Sequence, residues 1–389
     1  FIQTTYTAYI HRKDAQPNHL RLRESIADCQ GGVAELLTKT VNQGALDQEV
    51  SAEDREKLLD ALKTWGVLDR DGRYTTSLDT SGVRGYRIDP ADRLQEGTPS
   101  EVQPLGWLLE HDFWEDAYTG THYSYQGTIF QPVGGMDRIA AGFERQVGRL
   151  FTYGAEVNSL TVTDREVSVT YTDRASGQQQ QVVADYCICT IPLSILSQLQ
   201  VQVNRELEGA IRQVAYAPSF KAGIQAGRFW ERDERIYGGV TYTDLPNQLI
   251  SYPSYGMNQL EDGVLLAGYQ FGAWATKYSA MEPEERLRLI REDVTRIHPQ
   301  LPQHYRTGVT VGWHRVPWTL GCYGMYTDEG RKGPYEVLSR RHGRLMLAGE
   351  HISYWNGWME GALLSGISAL EAIHEAAQAE GGTGAGSGD

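Results

Sequence analysis

Residues 344–379 read RLMLAGEHISYWNGWMEGALLSGISALEAIHEAAQA, and the rest of the chain is best understood outward from them. Leu345, Met346, Leu347 and Ala348 form an unbroken apolar run, the pattern of a strand buried on both faces. Gly349 ends it. From about Met359, Leu363, Ile367, Leu370 and Ile373 recur at spacings of four, three and three, which predicts an amphipathic helix with that face inward. Gly361, Ala362, Ser365 and Gly366 keep the first turns of the helix thin, so that its backbone can approach a ligand or a sheet. A helix start carries unpaired N–H groups and partial positive charge, suited to an anionic or carbonyl-bearing group, with Glu350 free to accept from hydroxyls.

The 389 residues are 40% hydrophobic and 22% charged, enough for a soluble protein of two or three domains with a substantial core. A formal charge of −14 argues against nucleic acid. No apolar run reaches the roughly 20 residues that span a bilayer, so no membrane partner is expected. Cys29, Cys187, Cys189 and Cys322 are too sparse for a disulfide framework, and Cys187 and Cys189 read as buried strand residues; the compartment, cytoplasmic or secreted, stays open. No cluster suggests a metal. The chain opens on Phe1 inside sequence of structured character, and a segment removed upstream or carried elsewhere is expected.

In chain order, residues 1–10 read as an entry segment to a sheet domain. Residues 11–128 read as a helical insertion: Ser51 starts a capping-box helix whose face is Leu58, Leu59, Leu62 and Trp65. Residues 129–215 change character, with Gly134-Gly135-Met136-Asp137 leading into a helix through Ile139, Phe143, Val147 and Leu150. A hairpin follows over Ala155 to Tyr171, and Val182 to Ile191 reads as one buried strand stopped by Pro192. Residues 216–335 carry short strands (Lys221–Trp230, Val240–Tyr242, Gln248–Tyr252, Val264–Phe271), a helix from Pro283 with face Leu287, Ile290, Val294 and Ile297, and a strand over Val309–Arg315. Residues 336–379 return to strand and helix, and 380–389 form a Gly-rich tail expected to be disordered.

Leu347-Ala348-Gly349-Glu350 through Gly357-Trp358-Met359-Glu360-Gly361-Ala362 resembles the C-terminal FAD motif of the flavin-dependent amine oxidase superfamily, and within it the L-amino-acid oxidases. Pro132 to Asp137 resembles that family's G-G-M-D segment, Ala184 to Pro192 its flavin-domain strand, and Tyr242 to Pro246 with Ile250 to Pro253 a stretch typical of amino-acid oxidases. The resemblance covers about residues 130–379. It implies an α/β (α+β mixed) fold, with a Rossmann-like FAD-binding domain, a mixed-sheet substrate domain and a helical insertion. The family's opening G-x-G-x-x-G turn is absent from these residues, so the FAD-binding domain is incomplete in this chain. A missing N-terminal segment or second chain is the implied partner, alongside a small L-amino acid, O2 and a second copy in a homodimer.

By the same resemblance Glu350, Gly349 and Met359 hold the flavin end of FAD, Val157 touches the adenine through its backbone, and Gly135, Met136 and Trp313 complete the cofactor set. Trp358 and Tyr323 wall the substrate, Gly357 offers its carbonyl to the amine, and Tyr252 donates to the carboxylate. Lys221 holds a water that assists turnover; a lysine inside an apolar strand is costly without such a role or a partner. The implied reaction is oxidation of an L-amino acid to a 2-oxo acid, ammonia and hydrogen peroxide. Three alternatives stay open: a monoamine or polyamine oxidase with FAD bonded to Cys322, an L-amino-acid monooxygenase, and a non-catalytic chain of a processed flavoprotein. His351 reads as a loop residue.

Overall fold

The computed structural model describes residues 8–45, 51–90, 96–119 and 130–383. It forms two compact units, the first from Phe1–Met136, Ala222–Gln270 and Pro283–Thr310, the second from Asp137–Lys221, Phe271–Glu282 and Val311–Asp389. Each is α/β in content.

The first unit is organised on a seven-stranded mixed sheet in the order Tyr305–Gly312, Ser219–Gly227, Asp262–Phe271, Leu249–Ser251, Val240–Thr243, Tyr9–His11, His19–Arg21. Tyr9–His11 runs parallel to Val240–Thr243, with Ile10 opposite Tyr242, and the neighbouring pairs at this end are antiparallel. The period of two is visible in Ser219–Gly227: Phe220, Ala222, Ile224 and Ala226 are buried while Lys221, Gly223 and Gln225 are half-buried. The strand is shorter than Lys221–Trp230, because Phe229–Arg232 turns into a helix. Likewise Tyr305–Gly312 stops before Trp313, and Trp313–Arg315 is a 3-10 turn. Helix Pro283–Ile297 buries Ile290, Val294 and Ile297 as its spacing predicts.

Between the strand His19–Arg21 and residue 136 the described residues form four helices: Leu22–Asn42, Ala52–Gly66, Leu78–Arg84 and Leu105–Glu110. Ser51 caps the second, accepting from the Asp54 N–H at 3.1 Å. Of the expected face only Leu62 is buried, and Trp65 stays 47% exposed, since Gly66 rather than Trp65 meets Ala34 of the first helix. Arg84 is buried against Asp28 in a two-pronged pair, Nε to Oδ1 at 2.6 Å and a second nitrogen to Oδ2 at 2.9 Å.

In the second unit the hairpin Ala155–Val162 and Val167–Asp173 forms as expected, within a four-stranded sheet that adds Gln179–Ala184 and Gln200–Gln202. The run Val182 to Ile191 is not one buried strand. Its first part, Gln179–Ala184, pairs with the hairpin and leaves Val182 and Val183 about half exposed; Asp185 and Tyr186 break the ladder. Its second part, Cys187–Cys189, pairs in parallel with Leu345–Leu347, Cys187 opposite Leu345 and Cys189 opposite Leu347.

Leu345–Leu347 is buried on both faces. Leu345 and Leu347 join Leu160, Cys189, Leu193, Leu207, Ile211 and Leu338 in one core, whereas Met346 and Ala348 pack with Ala369 and Ile373 of the helix Met359–Thr383. That helix reverses the expected face. Gly361, Ser365 and Ala369, spaced by four, are its buried stripe, and Leu363, Leu364, Ile367 and Leu370 are 47–61% exposed. The cause is the turn at Gly349, which returns the helix onto its own strand so closely that only small residues fit. Ser365 Oγ is bonded to the Gly349 N–H at 2.8 Å and to its carbonyl at 2.9 Å. The helix also continues through Gly381, Gly382 and Thr383, the first residues of the expected tail; the rest of that tail, 384–389, lies outside the described residues.

Ala369→Leu should therefore overpack the strand and lower stability by about 1–3 kcal/mol, while Leu370→Ser should stay within about 0.5 kcal/mol of the parent. Urea midpoints of the two variants measure this, and the opposite ranking would restore the large apolar face as the buried one.

Candidate functional site

A cavity of about 330 Å³ opens in the second unit beside the first turns of helix Met359–Thr383, lined among others by Thr190, Tyr216, Cys322, Gly349, Glu350, His351, Ala362 and Gly366. The turn after Leu345–Leu347 creates its floor. Gly349 takes φ +135°, a backbone that side-chain-bearing residues rarely adopt, and a Cβ there would lie 2.5 Å from the His351 ring. At Gly361 a Cβ would meet the Trp355 carbonyl at 2.3 Å, so helix start and preceding loop touch backbone to backbone. A Cβ on Gly366 would meet nothing within 4 Å. That open space is part of the cavity.

Glu350 is the electrostatic centre. Oε1 accepts from the Gly324 N–H at 2.9 Å and Oε2 from the Gly357 N–H at 2.8 Å. Burial pushes its carboxyl above the ordinary carboxylate range, opposed by those two N–H groups and by the charge of Arg331. A carboxylate has about four lone-pair positions, so two remain for ligand hydroxyls. His351, set aside in the sequence as a loop residue, is buried in the 3-10 turn Glu350–Ile352, and its Nε2 has no hydrogen-bond partner among the described residues. Burial holds it neutral, its pKa lowered to about 4.

The other expected site residues divide. Gly357 takes φ +80° and packs against the Tyr323 ring, 3.5 Å from where its Cβ would stand. Tyr323 is half-buried, its ring edge-on to Phe271 and its carbonyl accepting from Ala217 N–H at 3.0 Å. Trp358 and Met359, at the helix start, are 45% and 49% exposed. Lys221 is half-buried near the start of its strand and has a partner in the structure. Val157 sits at a bulge, where the ladder slips between Val157 and Ser159. Gly135 takes φ +127° just before helix Asp137–Val147, Met136 is half exposed, and Trp313 is partly exposed; none of these lines the cavity.

Tyr252 lies in the first unit and is fully engaged there. Its hydroxyl is 2.6 Å from His298 Nε2 and 2.8 Å from Thr241 Oγ1, and His298 Nδ1 is 2.8 Å from Glu234 Oε1. One direction satisfies every member: the Tyr9 N–H donates to Thr241, Thr241 to Tyr252, Tyr252 to His298, and His298 to Glu234. The phenol that the sequence offers to a substrate carboxylate is buried here with two side-chain partners. Sequence inspection also passes over Tyr216, Thr190 and Gly324. Gly324 carries a usable signal, a glycine two residues after Cys322 whose N–H faces the motif glutamate. Among the described residues no group of His, Cys, Asp and Glu could hold a metal, and no helix is long and apolar enough to cross a membrane.

The model of the flavin-containing amine oxidoreductases matches residues 12–374. An L-amino-acid oxidase of Pseudechis australis is 24% identical, over 97% of this chain and 72% of its own length. A putative L-amino-acid oxidase of Bacillus subtilis is 26% identical over 63% of this chain, and the alignment spans only 52% of that relative. Cyclohexylamine oxidase from Brevibacterium oxydans superposes with a TM-score of 0.55 at 17% identity, over 63% of this chain and 53% of that one. Putrescine oxidase superposes with 0.54 at 16% identity, over 62% and 53%. The chain thus spans about half the length of several proteins it matches.

Glu350→Gln sets an amide N–H against one of the two backbone donors and should cost about 1–3 kcal/mol, read as a lower urea midpoint. His351 adds a pH dependence. Unfolded, it takes a proton below about pH 6.5; folded, only near pH 4, so the unfolded state binds more protons between them and stability falls as pH drops through that window. A His351→Gln variant should show a shallower loss of urea midpoint from pH 6.5 to 4.5 than the parent.

Proposed function

Starting from the premise that this chain belongs to the flavin-containing amine oxidoreductases, whose cofactor is FAD, we propose that it carries the flavin-facing half of an L-amino-acid oxidase. The observation that carries the reading is the half-buried Glu350 carboxylate, bridging Gly324 and Gly357 at a cavity beside a helix start. The relative matching 97% of the chain supports the choice of an amino acid over a simple amine.

The residues fit a flavin. The cavity has an unpartnered buried ring nitrogen on His351, unfilled space at Gly366 and two spare acceptor positions on Glu350, and it lies beside the start of the helix from Met359, the end that favours negative charge. Gly349, Glu350 and Met359 would hold the flavin end, and the bulged backbone at Val157 is suited to the adenine end. FAD, when bound, accepts a hydride from the substrate Cα and delivers the electrons to O2. The chain's own part is positioning: Trp358 and Tyr323 confine the substrate between flat walls, the Gly357 carbonyl orients the amine, and Lys221 holds water near the reacting centre. Overall the amino acid, O2 and water give the 2-oxo acid, ammonia and hydrogen peroxide.

A dinucleotide-binding segment outside these 389 residues completes the site. The second unit offers it a surface: helix Asp137–Val147 buries none of its residues, Phe143, Val147 and Leu150 stand exposed, and so does the Leu363, Leu364, Ile367 and Leu370 face. A polypeptide supplying that segment should cover both faces, lowering the binding of an apolar dye, and turn yellow with FAD.

That holoprotein, offered L-amino acids, D-amino acids, monoamines and polyamines, should give peroxide, ammonia and 2-oxo acid in equal amounts from L-amino acids alone. Equal turnover of amines would make it an amine oxidase, and carbon dioxide with an amide product a monooxygenase. Cys322 lines the cavity, which keeps a covalent flavin in view; flavin released on denaturation removes that reading.

A further inference from the structure

We propose that Arg331 is a positioning residue of this site, which sets where the Ser353–Trp358 loop, and with it Gly357 and Trp358, stands beside the cofactor cavity. It rests on the flavin reading above for the consequence of that placement, though not for the clamp itself.

Arg331 closes the short helix Asp328–Lys332. Its guanidinium lies over three tyrosine rings, 4.3 Å from Tyr326, 4.6 Å from Tyr335 and 4.6 Å from Tyr354. Two of its nitrogens reach the loop, one to the Ser353 carbonyl at 2.9 Å and one to Asn356 Oδ1 at 3.2 Å. The same segment grips the loop on either side. Tyr326 donates to the His351 carbonyl at 2.7 Å, Asn356 donates to the Gly324 carbonyl at 2.8 Å, and Glu350 ties Gly357 to Gly324.

Tyr354 is 70% exposed and Trp355 44%, so apolar burial contributes little to the loop's position. A planar fork that stacks on aromatic faces and bonds two acceptors at once defines a loop geometry that a flexible ammonium cannot. Because Gly357 rests against Tyr323 and Trp358 follows it directly, a displacement of Ser353 to Asn356 moves one expected wall relative to the other. Arg331 does not line the cavity. Its charge also reaches Glu350, and Arg331→Lys, which keeps that charge, isolates the part it plays through the loop.

The test compares the parent with Arg331→Met and Arg331→Lys in the full chain carrying its dinucleotide-binding segment, by hydrogen exchange, flavin fluorescence and steady-state kinetics. The Trp355 N–H, bonded to Ser353 Oγ, and the Gly357 N–H report the loop. In Arg331→Met both should exchange at least about tenfold faster while the Leu345–Leu347 strand keeps its protection. Flavin fluorescence and KM should shift, and Arg331→Lys should fall between, keeping charge over the rings but losing the fork. Unchanged exchange overturns the proposal. So does acceleration shared by the strand, which marks general destabilisation, and so does a loosened loop with unchanged fluorescence and KM. Fluorescence and exchange need no turnover; a parent that binds FAD and oxidises no amino acid would sink the oxidase reading and leave this one to be judged on those two signals.

Discussion

A half-buried carboxylate with two backbone donors sets the geometry around the cavity. Glu350 accepts from Gly324 and Gly357, which come from segments 33 residues apart in sequence. A carboxylate withdrawn partly from water is costly unless such donors are in place, and burial holds its pKa above the ordinary range against them. Both N–H groups must therefore stand where they do. That fixes the loop before the last helix, and the helix start beside the cavity.

The strand Leu345–Leu347 is the complementary constraint. With one face in the main core and the other under Ala369, it cannot shift without opening both layers. Gly349 ends the strand, and its positive φ explains why a glycine stands between strand and glutamate. Around this rigid centre the second unit keeps apolar side chains of two helices exposed. Leucine and isoleucine in such numbers on a helix surface are the mark of an interface.

Local signals were legible wherever one periodicity decided an element. The hairpin from Ala155, the Ser51-capped helix, the helix from Pro283 and the doubly buried strand all follow from spacing and capping chemistry. The run Val182 to Ile191 misleads, because apolar continuity does not reveal that Asp185 and Tyr186 end one ladder and that Cys187–Cys189 joins another. The helix from Met359 misleads more instructively: hydrophobicity favours Leu363, Ile367 and Leu370 as the inward face, yet distance of approach selects Gly361, Ser365 and Ala369. Tyr252 is a third case. Its place in a strand was evident, but the engagement of its hydroxyl depends on His298 and Glu234, which no motif connects to it.

From its residues alone this chain determined a strand, a turn at Gly349, a carboxylate at Glu350 and a thin helix start, and the resemblance of Leu347–Ala362 to the amine oxidase motif implied the cofactor class. Only the tertiary structure decided which groups share the cavity and which hydroxyls are already bonded. It also decided that Arg331, amid tyrosines from positions 326, 335 and 354, braces the loop. The reason is physical. Periodicity and turn chemistry act within a few residues and are written in sequence, whereas desolvation, close approach and donor–acceptor matching act between segments that meet only when the chain has folded.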